Sequence, residues 1–183
     1  MRSEELIESC RAVAQRAQTA LNIVLNGSRN LLDIALNHLT LGRAALYEAF
    51  LTQSAIHNPH SAIEQAVSGL RSAGTMDHLP RGLLTRAWLR ALTGRRTGAA
   101  SAVADLDEAW EIAARGSMRL FQADILLMRA RLFGLPSAEE KYPWESPQAD
   151  LAAARTLIEQ CGYGRRLEEL EDAERALRDE HSP

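Results

Sequence analysis

The stretch ADLDEAWEIAARG (104–116) has a near copy in ADLAAARTLIEQCG (149–162), and a chain that spells one amphipathic helix twice is built by repetition. SAIEQAVSGLRSAG (61–74) has the same shape, and TALNIVLNGS (19–28) aligns with EAWEIAARGS (108–117). The alignment brings Ala20, Ala66, Ala109 and Ala154 into register, at spacings of 46, 43 and 45 residues. Gly27, Gly74, Gly116 and Gly162 follow them by seven or eight residues. A small residue lets a second helix approach closely, and a glycine just past a helix end accepts the left-handed backbone of a C-cap. Four helices are thereby marked at a period of ~45 residues, and an apolar-periodic segment lies between each pair.

The expected fold is an all-α solenoid of long helical hairpins, about eight helices in a single domain over residues 1–183. Alanine and leucine dominate and aromatic residues make up only 5%, which favours helix over sheet. The apolar period places helices at 4–26, 29–53, 61–73, 79–93, 98–115, 118–133, 147–161 and 165–180, with HNPHS (57–61) as a turn. Ser146 is the expected cap before Pro147. Hairpins then span 29–73, 79–115 and 118–161, helix 4–26 is the orphan second helix of a hairpin, and 165–180 is a charged capping helix.

ADLDEAWEIAARG, with Ala102 placed before AWEI, resembles the second helix of a tetratricopeptide repeat, and HLTLGRAAL (38–46) resembles the Leu-Gly signature of its first helix. The period exceeds that family's usual 34 residues and its Trp and Tyr positions are not kept, so the units are long, degenerate tetratricopeptide-like repeats; a HEAT-type array is the alternative. LLDIALNHLTLGRAAL, LPRGLLTRAWLR, ADLDEAWEIAARGSMRLFQADILLMRARLF and YPWESPQADLAAARTLIEQCGYGRRLEELEDAE together resemble the C-terminal repeats of bacterial NACHT/STAND-type multidomain signalling proteins. The resemblance implies a sensor or scaffold region that binds a protein or peptide, or a small ligand, and regulates an attached signalling module.

A formal charge of -3 gives no pull toward nucleic acid or an anionic membrane. The polar N-terminus is no signal peptide and no apolar run reaches ~18 residues, so a cytoplasmic location is expected. Cys10 and Cys161 form no metal-type or disulfide pattern and read as small buried hydrophobes. There is no phosphate loop of the G-x-x-x-x-G-K-[ST] type, no G-x-S-x-G and no H-E-x-x-H, and neither enzyme activity, cofactor nor metal is expected. An enzyme with an unrecognised helical carboxylate site stays as the weaker alternative.

His57 and His60 flank a turn, His38 reads as an interhelical hydrogen-bonding residue and His78 as a helix cap. Asp105, Asp107, Glu108 and Glu111 read as a solvated acidic face at a helix N-terminus rather than an acid–base pair. Arg165 and Arg166 suit a phosphate or carboxylate, and equally the capping of helix carbonyls or pairing with the acids of LEELEDAE (167–174).

A solenoid of this kind binds along its concave surface, formed by helices 29–53, 79–93 and 118–133. Their less apolar sides carry Asp33, Asn37, Thr40 and Tyr47, then Arg86 and Arg90, then Gln122 and Arg129. That strip has basic weight in its middle and suits an acidic peptide. Leu6, Cys10, Val13, Ala17 and Val24 form an apolar stripe on helix 4–26, wider than one neighbour covers. The stripe predicts a homo-oligomer, or contact with an upstream domain.

Overall fold

The computed structural model describes residues 3–54, 58–135 and 141–179. The described residues form eight α-helices and no strand: α1 (Ser3–Asn26), α2 (Leu31–Thr52), α3 (Asn58–Ser72), α4 (Leu79–Leu92), α5 (Ala102–Arg115), α6 (Arg119–Phe133), α7 (Pro147–Gln160) and α8 (Leu167–Asp179), with a 3₁₀ turn at Gly164–Arg166. No helix among them is long and apolar enough to cross a membrane.

Short polar side chains set the helix starts. Asn30 Oδ1 accepts the Asp33 N–H, Ser101 Oγ the Ala104 N–H, and Ser146 Oγ the Ala149 N–H ahead of Pro147. The capture by Ser101 is why α5 begins at Ala102 and not at Gly98 as the pattern suggests. Asn58 already belongs to α3, because Pro59 fits a first helical turn, so His60 lies inside the helix; His57 is outside the described residues.

The helix ends depart from expectation at two glycines. Gly74 (φ 69°) and Gly162 (φ 63°) are left-handed, whereas Gly116 is at φ -85° and the left-handed residue is Ser117 (φ 51°). A Cβ at 116 would lie 2.6 Å from Met118 Cε, the far end of a flexible side chain, so a larger residue there requires only that Met118 move aside. Beyond Gly27 the left-handed residue is Arg29 (φ 51°), whose N–H returns to the Val24 carbonyl at 2.9 Å.

Each helix packs on the next, most extensively α2 on α1 and α3, α4 on α5, and α6 on α7. The even-numbered helices also touch one another in order, α2 to α4, α4 to α6 and α6 to α8, while among the described residues the odd-numbered ones do not. The even-numbered helices therefore share one layer. Ala66, Ala109 and Ala154 are fully buried, and Ala20 is half-buried. The close approach of α2 and α3 is set by two glycines: a Cβ on Gly42 would lie 2.5 Å from Ile63 Cγ1, and one on Gly69 2.9 Å from Ala35 Cβ.

Candidate functional site

The shared layer carries a groove of about 570 Å³. From α2 it receives Arg43, Tyr47 and Phe50, spaced four and three residues apart and so on one helical face. From α4 come Leu84, Thr85 and Trp88; from α6, Asp124, Leu127, Met128 and Arg131; Arg166 and Glu169 close it. The groove is amphipathic along its length. Tyr47 and Phe50 rings stand 4.9 and 6.1 Å from Trp88, and both remain more than half exposed. In the same groove, Arg166 Nε donates to Asp124 Oδ1 (2.7 Å) and its Nη1 to Glu169 Oε1 (2.5 Å), and Arg131 Nη1 meets Glu169 Oε2 at 3.0 Å. Tyr163 also donates its hydroxyl to Asp124 Oδ2, and Arg165 lies over the Tyr163 ring. Arg166 thus takes Glu169 of LEELEDAE, one of the roles its sequence position suggested.

Arg43 is held differently. Its Nε donates to Thr85 Oγ1 at 2.8 Å, and that hydroxyl donates to the Arg81 carbonyl at 3.0 Å. Among the described residues Arg43 forms no ion pair. Burial, foremost, lowers the pKa of its guanidinium, and the charges of Arg81 and Arg166 act in the same direction against Tyr47 and Asp124.

Of the eight residues expected to line the concave strip, Tyr47 alone lines this groove. Asp33, Asn37 and Thr40 sit earlier on α2, where the Asn37 amide donates to the Asp33 carbonyl and the Thr40 hydroxyl to the Leu36 carbonyl. Gln122 donates to the Ala113 carbonyl at the end of α5. The three arginines are spent inside the protein. Arg86 reaches Asp105 at 2.7 Å and Glu64 at 2.9 Å; Arg90, 8% exposed, reaches Asp105 at 2.9 Å. Arg129 lies between the rings of Trp110 and Trp144, 5.1 and 4.4 Å from their centroids, and bonds Asp107 Oδ1 at 3.1 Å.

The acidic face is corrected by the same contacts. Asp105 is 1% exposed, and burial raises its pKa against the pull of Arg86 and Arg90. Asp107 also accepts the Trp144 indole N–H at 2.8 Å, and Glu108 pairs with Arg71; Glu111 is exposed. Trp144 and Tyr142, whose hydroxyl donates to Asp150 Oδ2 at 2.5 Å, strap the segment before α7 onto α5, α6 and α7. Burial raises the pKa of Asp150 and, with that hydrogen bond, of Tyr142.

The remaining candidates fall as follows. His38 makes no interhelical hydrogen bond among the described residues, and burial lowers its pKa. His78 precedes α4 without a side-chain capping bond, its ring 3.7 Å from Asp77; His60 bonds Arg95. Cys10 and Cys161 are free and only half-buried. On α1, Ala17 is buried against α2, whereas Leu6, Cys10, Val13 and Val24 are partly covered.

Compared with known proteins, the chain matches no protein-family model, no curated protein and no solved structure.

Proposed function

We propose that the chain is a protein-interaction module of tetratricopeptide-like type, a superhelix of long hairpins that takes a polypeptide partner on its even-numbered layer. The observation that carries this reading is the uncovered aromatic wall of Tyr47, Phe50 and Trp88 inside a concave groove. Exposed aromatic anchors beside desolvated charge are what partner recognition uses. The contact order supports the hairpin stacking: a solenoid unit meets only its neighbours, and one helix of each unit lines a common face. In this proposal the module works in the cytoplasm without catalysis of its own, as the sensor or scaffold region of a signalling protein.

A photo-crosslinking residue at Tyr47 is expected to capture one partner, whereas the same residue at Glu111 on α5 captures none. With that partner purified, Trp88→Ala is expected to weaken binding by tenfold or more, the scale of an aromatic hot spot. Equal capture from Glu111, or unchanged affinity in Trp88→Ala, overturns the reading.

Self-association through α1 is the second part of the proposal. α1 touches α2 alone among the described helices, and it leaves Ile23 68% and Leu25 43% exposed near Leu31 at 53%. Light scattering at high micromolar concentration is expected to give more than the monomer mass, and Ile23→Glu to restore that mass. A monomer in the unaltered chain removes this part.

A further inference from the structure

The groove holds more than an aromatic wall, because its charges do not balance. Arg43, Arg131 and Arg166 line it against only Asp124 and Glu169. Arg166 and Arg131 use those two carboxylates, in pairs of 2.5 to 3.0 Å, which leaves the Arg43 guanidinium in excess. Arg81, a turn before Thr85, is exposed and has no ion pair among the described residues, and its carbonyl lies 3.5 Å from Arg43 Nη2. Arg43 therefore lines the groove with no ion pair of its own among the described residues, and the charge of Arg81, which lies outside the lining, acts on it. Thr85, itself 4% exposed, fixes Arg43 in place through the Nε bond, so little side-chain freedom remains to be lost on binding. The same groove is lined by the apolar side chains of Phe50, Trp88, Met128 and Leu132. Its volume of about 570 Å³ falls in the range that encloses a small organic molecule.

We infer that the groove is a binding site for a small amphiphilic organic anion. The anionic head, a carboxylate or a phosphate, lies at Arg43 with Arg81 alongside, and an aromatic or branched apolar body lies on Trp88. A guanidinium offers two parallel N–H donors to such a head, and desolvated charge pairs of this kind are the strong ones. The bound anion also relieves the repulsion between Arg43 and its cationic neighbours. This site does not depend on whether a polypeptide docks on the same layer.

The test uses the full chain, labelled with ¹⁵N, and reads the Trp88 indole N–H, assigned by its loss in Trp88→Phe. The probes are phenylbutyrate, phenylbutylphosphonate and the neutral phenylbutyramide. At least one anion is expected to shift the Trp88 signal saturably, with an affinity roughly tenfold or more above that of the amide, the scale of one charge-assisted hydrogen bond. Arg43→Met is expected to erase the difference between anion and amide while leaving the amide unchanged; Arg81→Gln narrows it. The stronger of the two anions identifies the head group. No saturable shift with either anion overturns the site, as does equal binding of anion and amide, or discrimination retained in a folded Arg43→Met. If Arg43→Met does not fold, the comparison of probes on the unaltered chain and on Arg81→Gln decides. A chain that ignores all three probes yet is cross-linked to a partner from Tyr47 has a polypeptide groove and no small-anion site.

Discussion

Asp105→Asn is expected to lower the stability of the fold by about 3–5 kcal/mol, read as a fall in the denaturant midpoint with an unchanged slope. Asp105 is enclosed between α4 and α5, and its two oxygens neutralise Arg86 and Arg90. An asparagine keeps the shape but turns an NH₂ group toward a guanidinium, and it leaves two buried positive charges sharing Glu64 alone. Replacing the partners together, as in Asp105→Leu with Arg86→Met and Arg90→Met, is expected to recover much of the loss, because the cost lies in the unpaired charges rather than in the missing bridge. A midpoint unchanged in Asp105→Asn would show that the network adds nothing. The same contacts explain why Arg86 and Arg90 are poor tools for testing partner binding. Arg86→Glu with Arg90→Glu sets two further carboxylates beside Asp105 and Glu64, and is expected to prevent folding.

The helices were legible because each buries a stripe at a period of 3.6 residues, and the start of α7 because Ser146 and Pro147 carry capping chemistry. The groove was not, and α4 shows why. It lies against α2, α3, α5 and α6, so nearly its whole circumference is covered and no polar face remains to be read. Arg86 and Arg90 look exposed because they are charged. Their carboxylates arrive from 22 residues earlier, in Glu64, and from 19 and 15 residues later, in Asp105. On α6 the groove is lined by Asp124, Met128 and Arg131, and neither Gln122 nor Arg129 is part of that lining. Tyr47, read from the sequence as lying on the less apolar side of its helix, does line the groove. Arg43 and Phe50 share its stripe, and that spacing was the one sequence signal that pointed to the rest of the α2 wall.

Gly42→Val is expected to cost about 3 kcal/mol, at the upper end of what an overpacked core position loses. The first added atom already falls 2.5 Å from Ile63 Cγ1 and 3.2 Å from the Ile63 backbone nitrogen, so a side-chain rotation alone does not clear it. Ile63 is fully buried in a cluster with Leu46 and Leu89, with Trp88 packed against it, and close-packed interiors offer little room for such a shift. α2 and α3 must therefore separate. Because Arg43 follows Gly42 directly, that separation also shifts the guanidinium from Thr85. The melting temperature is expected to fall, and the residual folded protein to lose its preference for the stronger anion over the amide. Gly42→Ala carries the same first atom without the branches and is expected to lie between. A Gly42→Val protein as stable as the original would mean that the two helices do not cross this closely, and the placement of the groove's α2 wall would fall with it.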